Sequence, residues 1–333
     1  MLKVSICIPT YNRSDYLQYA VNSVLGQTYQ NFELIICDDG STDNTPEVVN
    51  SWDDSRLRYL RHPQNIGRSR NMRSGFEAAV GDYFIKFDDD DALTPEFLAK
   101  TVAVLDNNPE VDFVCSDHWI INGKGEREEF ATAENSAKWS KNKFKPGLIP
   151  NLLQETFINQ SLQVGSTLFH RSCLQAVDYM RPEADGCEDF DLLVRIAIAG
   201  FQGYFLPELL MEYRFHGGQT SLKQDIHFLT AKAFCIDSYN FSDPQLEQIR
   251  LNKLATTQQG LGLRLVEKGE SDRGRKLLQQ SLKHLGGSNR TYLGLVLSYL
   301  PHSWRIAIVQ QFRNSRSQDY AEKVREIPVL PNL

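Results

Sequence analysis

The first 117 residues alternate short apolar runs with amphipathic segments, and this alternation restricts the fold more than any other feature. Apolar runs rich in β-branched residues predict buried strands at 4–11, 32–40, 57–62, 82–87 and 111–117. Helical spacing of apolar residues predicts helices at 14–27, 41–52, 66–80 and 95–106. Such alternation is typical of βαβ units. We therefore predict an α/β fold with a mostly parallel sheet that is covered by helices on both faces.

The pattern changes twice after residue 117. The middle of the chain contains a strand-like run, an amphipathic helix and a second strand-rich run, at 164–171, 188–200 and 201–216. Residues 125–146 are polar and lack periodicity, which predicts a mobile loop. From residue 226 the pattern is helical, with helices predicted at 245–267 and 271–285. We therefore expect three parts, at 1–117, 118–225 and 226–333.

Composition narrows the class of protein. The 333 residues are 41% hydrophobic and carry a formal net charge of −6, as in ordinary globular proteins. Without a basic surface we expect no nucleic-acid partner. None of the six cysteines forms a C-x-x-C pair, so we expect reduced thiols rather than zinc or disulfides. The N-terminal residues MLKVSICIPTYNR lack the apolar core of a signal peptide, so we expect a cytoplasmic location.

Residues 84–93, FIKFDDDDAL, place four aspartates at the end of a predicted strand. In an extended chain alternate side chains share a face, so Asp88 and Asp90 should point the same way. By the same argument Asp89 and Asp91 should share the opposite face. Carboxylates this close cannot all be ionised unless a cation compensates them. Mg²⁺ and Mn²⁺ use oxygen ligands, often one or two carboxylates plus substrate phosphates. We therefore predict a metal–phosphate site rather than a solvated acidic patch.

The carboxyl edge of the predicted sheet should hold this site, since ligands of parallel sheets bind there. Polar residues after the first two strands should reach the same edge. Neither common phosphate-binding loop is present: the chain has no G-x-x-x-x-G-K-[ST], and no G-x-G-x-x-G follows the first strand. The phosphate must therefore be bound by other means.

Three stretches together resemble the family 2 glycosyltransferases of the GT-A fold: VSICIPTYNRSDYL, QTYQNFELIICDDGSTDNT and NIGRSRNMRSGFEAAVGDYFIKFDDDDAL. The resemblance is close over residues 1–120, sparser over 165–221, and absent beyond 225. It implies a Rossmann-like, mostly parallel sheet flanked by helices, here with a C-terminal helical extension. It also implies inverting transfer of a sugar from a nucleotide diphosphate sugar, with a UDP-linked donor as the first expectation. The acceptor would be a hydroxyl group, in surface polysaccharide or glycoconjugate biosynthesis.

The resemblance implies donor-binding roles for residues at the strand ends. The residues expected to bind the nucleotide sugar are Pro9, Thr10, Tyr11, Asp39, Arg70, Asp88 and Asp89. Tyr11 would stack on the base, unless it is a core aromatic. Asp39 would accept a hydrogen bond from a base N–H. Arg70 would lie near the phosphates, with a surface salt bridge as the alternative.

The aspartate run matches the D-x-D pattern of the family, which implies that Asp90 binds Mn²⁺ or Mg²⁺. Asp88 would be a second ligand, or Asp88 or Asp89 would hold the ribose or a metal-bound water. The run leaves this division open by one position. The stretch YRFHGGQTS (213–221) resembles the end of the family pattern and implies that His216 contacts the metal or the diphosphate. A structural histidine is an equal alternative.

The stretch GCEDFDL (186–192) resembles the E-D motif of the family. It implies that Asp189 is the catalytic base and that Glu188 supports it. Acids in the first turn of a helix also complement its dipole, which is the structural alternative.

Two other classes of function remain open. A non-catalytic nucleotide-sugar-binding module would keep Asp39 but would need no base. A nucleotidyltransferase would require a glycine-rich basic loop after the first strand, where this chain reads PTYNRSDY. The expected acceptor is a saccharide or a lipid-linked saccharide. The segment 290–316 is apolar with basic ends, so we expect either core helices or peripheral contact with the inner membrane face.

Overall fold

The computed structural model describes residues 3–217, 225–286, 288–301, 303–305 and 308. The contacts among these residues define two compact units. The first contains the described residues up to Pro182 together with Glu188–Gly217. The second contains Glu183–Cys187 and the described residues from 225 onward. Within the described part of the chain, no helix combines the length and apolarity needed to cross a bilayer.

The first unit alternates strands and helices. Its elements in chain order are β1 (Val4–Thr10), α1 (Ser14–Leu25), β2 (Phe32–Asp38), α2 (Thr45–Asn50), β3 (Leu57–Arg61), α3 (Arg68–Ala78), β4 (Tyr83–Lys86), β5 (Ala92–Leu93), α4 (Phe97–Asn107), β6 (Phe113–Ile121), α5 (Glu129–Lys138), β7 (Gly147–Leu148), β8 (Thr167–His170), α6 (Arg171–Ala176), α7 (Glu188–Ile198) and β9 (Gly203–Arg214). The strands predicted from the first 117 residues are all present.

The strands form one sheet in the order β3-β2-β1-β4-β8-β6-β9-β5, and β7 pairs with β9. The pairs β1–β2, β1–β4, β2–β3 and β6–β9 are parallel. Strand β8 runs antiparallel to both β4 and β6. The predicted α/β fold with a mostly parallel sheet is therefore confirmed.

Strands β1 and β2 are apolar throughout because both faces of the sheet are buried. Ile6 and Leu34, which are paired in register, contribute to one core together with residues of α1 and α4. Cys7 and Ile35, one position along each strand, contribute to the other core with residues of α3 and α7. Successive residues of a strand point to opposite faces of the sheet, and both faces are buried here. Each of these runs in the sequence is therefore continuously hydrophobic.

The mobile loop predicted at 125–146 is wrong. Helix α5 occupies much of it, and its Thr132 hydroxyl accepts a hydrogen bond from the Ile120 N–H at 2.9 Å. The buried residues of α5 are small or polar, namely Ala131, Thr132, Asn135 and Ser136. A helix buried through such residues has no apolar periodicity, so the sequence pattern could not reveal it.

The second unit is helical, with α8 (Asp225–Ser238), α9 (Pro244–Lys268), α10 (Ser271–Leu285) and α11 (Asn289–Leu297). Asp243 caps α9 by accepting hydrogen bonds from the N–H groups of Gln245 and Leu246, and Gly269 ends the helix at a φ of 96°. The expected C-terminal helical extension is confirmed. The division of the chain at 117 and 225 stays a prediction, and β6 runs through the first of these boundaries.

Candidate active site

The loops after β1 and β2 are joined at the carboxyl edge of the sheet. Asn12 has a φ of 53°, and its side-chain oxygen accepts a hydrogen bond from the Thr42 N–H at 2.8 Å. The Asn12 N–H donates in turn to the Ser41 hydroxyl at 2.9 Å. Tyr11, just before this junction, is 44% exposed, so it is not a core aromatic. Its ring is therefore accessible for stacking at the edge where nucleotides bind.

Asp39 is a buried carboxylate that organises the chain before α3. Its two oxygens accept hydrogen bonds from the N–H groups of Ile66 at 2.6 Å and Gly67 at 3.1 Å. A carboxylate offers about four acceptor positions, so these two bonds leave room for a ligand N–H. Thr10 is buried, and its carbonyl oxygen accepts a hydrogen bond from the Asp39 N–H at 3.0 Å. Pro9 is partly buried, and Arg70 is exposed. The donor-binding roles of these residues stay predictions.

The aspartate run is a turn, and the extended arrangement that we expected is wrong. Residues 89 and 90 occupy the turn, and the Asp91 N–H approaches the Asp88 carbonyl at 3.5 Å. The turn brings adjacent rather than alternate carboxylates to one side chain: Arg13 Nη1 lies 3.2 Å from Asp89 and 2.7 Å from Asp90. A protein side chain, Arg13, is thus the compensating cation here.

Asp90 also contacts His216, whose Nε2 lies 3.1 Å from Oδ2 of the carboxylate. Burial raises the pKa of Asp90, but His216 and Arg13 outweigh it and lower the pKa to about 2. Asp89 behaves in the opposite way: burial, assisted by the charge of Asp90, outweighs Arg13 and raises its pKa to about 7. The pKa values of these adjacent carboxyl groups therefore shift in opposite directions, because their partners differ.

Asp91 has a structural role. It is fully buried, burial raises its pKa well above the ordinary value, and it accepts a hydrogen bond from the Arg214 N–H at 2.9 Å. The Arg214 guanidinium donates to the Asp90 carbonyl at 2.7 Å and lies over the Tyr19 ring. These contacts attach the aspartate turn to β9.

A buried lysine joins the aspartate turn to the E-D motif. Nζ of Lys86 lies 2.8 Å from Oδ1 of Asp88 and 3.7 Å from Oδ1 of Asp189. Burial lowers the pKa of Lys86, but Asp189 and Asp88 outweigh it and raise the pKa overall, so the lysine stays charged. Arg68 contributes a second cation, with Nη2 3.6 Å from Asp88.

The first turn of α7 carries three acids, and two of them are committed to structural contacts. Glu188 is buried and accepts a hydrogen bond from the Ser69 hydroxyl at 3.0 Å. Asp191 is buried and accepts from Arg195 at 2.7 Å. Asp189 remains 42% exposed, and its Oδ1 makes no hydrogen bond within the described structure. Of the three, Asp189 is the carboxylate that can receive a proton from a ligand.

Asp90 and His216 are the side chains that could contribute to a Mn²⁺ or Mg²⁺ site. No three His, Cys, Asp or Glu side chains of the described chain are grouped closely enough to hold a metal by themselves. Asp90 and His216 do offer one oxygen and one nitrogen ligand, 3.1 Å apart. Since Mg²⁺-type sites often combine one or two protein ligands with water and substrate phosphates, this pair fits such a site. Asp88 is instead paired with Lys86 and Arg68.

Sequence reasoning missed Arg13, Arg68 and Lys86. The signal for Lys86 was available, since it interrupts the apolar run FIKF, and a buried lysine requires an acidic partner. Arg13 and Arg68 gave no such signal, because an arginine beside a helix start is ordinarily a solvated residue.

Comparisons with known proteins agree with the geometry. The family model described as Glycosyl transferase family 2 matches residues 5–166. An uncharacterized glycosyltransferase of Rickettsia felis is 30% identical over 272 residues, which are 80% of this chain and 42% of that protein. Abequosyltransferase RfbV of Salmonella typhimurium is 37% identical over 117 residues, which are 34% of this chain and 35% of that protein. The chain thus spans less than half the length of these relatives.

Solved structures with a similar fold include two nucleotide-sugar complexes. Staphylococcus aureus TarS 1-349 in complex with UDP-GlcNAc has a TM-score of 0.66 and 17% identity, and the match covers 93% of this chain and 92% of that one. The mannosyltransferase PcManGT from Pyrobaculum calidifontis, in complex with GDP-Man and Mn²⁺, has a TM-score of 0.54 and 15% identity, over 94% and 88% of the chains. At these identities the likeness shows the GT-A fold alone.

Proposed function

The chain belongs to glycosyltransferase family 2, and on this premise we propose that it transfers a sugar from a nucleotide diphosphate sugar to a hydroxyl acceptor. The observation that carries the proposal is the aspartate turn at one edge of the sheet, where Asp88 pairs with Lys86 close to Asp189 and Asp90 contacts His216. This edge is where parallel sheets bind their ligands.

The donor end of the site is formed by the loops after β1 and β2. We propose that Tyr11 stacks on the base and that Asp39 accepts a base N–H, with UDP-sugars as the first donor class. Arg70 and the Pro9–Thr10 backbone would border the nucleotide. Asp88 or Asp89 would hold the ribose or a metal-bound water. Two similar structures contain UDP-GlcNAc and GDP-Man, which supports a nucleotide-sugar donor without choosing the base.

Asp90 and His216 are the residues that would hold Mn²⁺ or Mg²⁺. The bound cation would supply Lewis-acid stabilisation of the diphosphate leaving group. Asp88 lies in the same aspartate turn as Asp90, but in this structure it is paired with Lys86 and Arg68.

Asp189 is the proposed general base. As the acceptor oxygen attacks the anomeric carbon, its hydroxyl proton passes to the Asp189 carboxylate, and the bond between that carbon and the diphosphate oxygen breaks. A single displacement of this kind inverts the anomeric configuration. The Lys86 ammonium lies 2.8 Å from Asp88 and 3.7 Å from Asp189, so one cation is close to both carboxylates. Glu188 anchors the first turn of α7 through Ser69. General-base assistance contributes about 10²–10⁴-fold to the rate.

The proposed acceptor is a saccharide or a lipid-linked saccharide of a surface polysaccharide or glycoconjugate. One relative is named abequosyltransferase, which supports transfer of a sugar and leaves open which sugar this chain uses. Lipid-linked acceptors would place the enzyme in the cytoplasm with peripheral contact at the inner membrane face.

The experiment pairs nucleotide binding with turnover. Asp189→Asn should bind a UDP-sugar with Mn²⁺ as the wild type does in calorimetry, while its transfer rate falls about 10²–10⁴-fold. Asp90→Ala should lose the Mn²⁺-dependent part of binding. Asp15→Asn, an exposed acid of α1, is the matched control and should change neither.

Three outcomes would contradict the proposal. Full turnover by Asp189→Asn would remove the proposed base. Tight nucleotide-sugar binding by the wild type, without transfer or hydrolysis of any sugar in a donor panel, would favour the non-catalytic module. Release of pyrophosphate from a nucleoside triphosphate and a sugar phosphate would favour a nucleotidyltransferase.

A further inference from the structure

The second unit exposes a row of large apolar side chains on and just after α11. Tyr292, Val296, Tyr299 and Trp304 are 55%, 60%, 71% and 64% exposed, and Leu293 is exposed beside them. We call these five residues the aromatic stripe. The opposite face of α11 is buried, with Thr291 and Gly294 inside and Leu297 packed against Val266 and Leu278. One side of α11 is thus packed against the rest of the second unit, while its other side is apolar and faces solvent.

The segment that carries the aromatic stripe is basic, although the whole chain is acidic. Residues 271–305 contain six arginines and lysines and one acid, in a chain of net charge −6. Lys276, Lys283 and Arg290 are exposed, and none of them forms an ion pair within the described residues. The guanidinium of Arg275 lies 4.0 Å from the centre of the Tyr299 ring, so the basic and aromatic groups are in direct contact.

We propose that the aromatic stripe docks the second unit onto the surface of an anionic bilayer. Tyrosine and tryptophan are the side chains that favour the boundary between headgroups and acyl chains. Exposed lysines and arginines beside them are attracted to anionic headgroups. Interfacial binding is typical of a helix that is too short to span a bilayer and that carries apolar residues next to basic ones. The predicted contact segment 290–316 lies partly outside the described residues, and the proposal rests on residues 275–304.

A second copy of the chain is the less favoured occupant. Self-association through this surface would bring two sets of unpaired lysines and arginines together, which opposes contact. A bilayer carries the complementary charge. The docking surface lies in the second unit and does not depend on the proposed transferase activity.

The experiment is co-sedimentation of the full chain with vesicles. The wild type should pellet with vesicles of mixed phosphatidylglycerol and phosphatidylcholine at low salt, and should not pellet with phosphatidylcholine alone. The combined variant Tyr292→Ser, Tyr299→Ser and Trp304→Ser should lower the partition coefficient about tenfold or more. The combined variant Lys276→Gln, Lys283→Gln and Arg290→Gln should bind less tightly and lose most of its salt dependence.

Val80→Ser is the matched control. Val80 is 58% exposed in the first unit, so its substitution removes exposed apolar surface outside the aromatic stripe and should leave vesicle binding unchanged. Circular dichroism melts of each variant should match the wild type, since the substituted residues are exposed. Failure of the wild type to pellet with anionic vesicles would overturn the proposal. So would a dimer, measured by light scattering without lipid, that the aromatic variant dissociates. Loss of vesicle binding with transfer activity intact on a soluble acceptor would support the proposal independently of the enzymatic assignment.

Discussion

Nζ of Lys86 lies 2.8 Å from Oδ1 of Asp88, inside the protein, at the last residue of β4. The same ammonium lies 3.7 Å from Oδ1 of Asp189 on α7. One buried cation therefore serves two carboxylates, one in the aspartate turn and one in the proposed base. Without it, Asp88 and Asp189 would lose the cation that they share.

Lys86→Met should destabilise the protein by about 1–3 kcal/mol, because it removes the buried cation nearest to Asp88 and Asp189 and leaves only the more distant Arg68 beside Asp88. Adding Asp88→Asn should recover part of the loss, since it removes one of the two stranded charges. Urea unfolding of the four proteins gives the coupling energy. Lys3 and Asp106, an exposed pair at 3.3 Å, provide a control cycle with coupling below about 1 kcal/mol. Additive effects of Lys86→Met and Asp88→Asn would contradict the shared-cation interpretation.

Arg13→Met should increase the response of the protein to Mn²⁺ alone. Arg13 lies 2.7 Å from Oδ2 of Asp90, so on the proposed function a cation bound by Asp90 would compete with the arginine. Thermal shifts on adding Mn²⁺ should be larger for the variant than for the wild type, and its metal-free form should melt lower. Arg56→Met, which removes an arginine paired with Asp54 away from the site, should respond to Mn²⁺ as the wild type does. An unchanged Mn²⁺ response in Arg13→Met would count against competition at Asp90.

The hydrogen bonds to the Glu33 carboxylate predict that the protein loses stability in acid. Burial raises its pKa, but hydrogen bonds from Ser5, the Val80 N–H and Arg58 outweigh burial and lower the pKa overall. A carboxyl whose pKa is lowered by folding stabilises the native state above its unfolded pKa of about 4.3. That contribution is lost as the pH falls from about 4.3 through the lower folded value.

Glu33→Gln should therefore cost about 1–2 kcal/mol at pH 7, because it weakens hydrogen bonds to a charged group. The difference from the wild type should shrink as the pH falls below about 4. Urea unfolding at pH 7, 5 and 3.5 measures this. Glu110→Gln, an exposed acid in the loop after α4, should show no pH-dependent difference. A constant difference across this range would contradict the role given to the Glu33 charge.

Gly75 lies where α3 crosses β1 and β2. A methyl group at this position would sit 2.1 Å from Sγ of Cys7 and 2.5 Å from Sγ of Cys37. Gly75→Ala should therefore destabilise by about 1–3 kcal/mol, the usual cost of overpacking, despite the better helix propensity of alanine. Replacing both cysteines by alanine in the same protein should recover most of this loss.

Gly260 in α9 is the control position for the Gly75 substitution. An added methyl group there would meet only the Leu229 side chain, at 3.8 Å, so Gly260→Ala should be neutral or stabilising by up to about 1 kcal/mol. Thermal unfolding of both alanine variants tests the contrast. Equal stability of the two would contradict the tight packing of α3 on the sheet.

The sequence predicted the strands of the parallel sheet well because burial on both faces produces unbroken apolar runs, as in VSICIPT and FELIICD. It failed at 125–146, where α5 is buried through small and polar residues. For the candidate site, too, success depended on a clear local pattern in the sequence. Residues in contiguous motifs, such as Asp39 and Asp189, could be proposed from sequence, and their roles remain predictions.

Contacts between distant parts of the chain could not be predicted. The bridge from Lys86 to Asp189 and the pairing of Arg13 with the aspartate turn depend on how α7 and α1 pack against the sheet. The turn itself was misjudged because four identical residues give no signal that separates a turn from an extended strand.

The attachment of Asp91 to Arg214 has a consequence for the order of assembly. The two residues are 123 positions apart, so the aspartate turn acquires its anchor only after the ribosome has added β9. Such long-range closure is entropically slow and follows the local βα units. A nascent chain that ends before β9 would therefore carry its acidic loop without the Arg214 anchor.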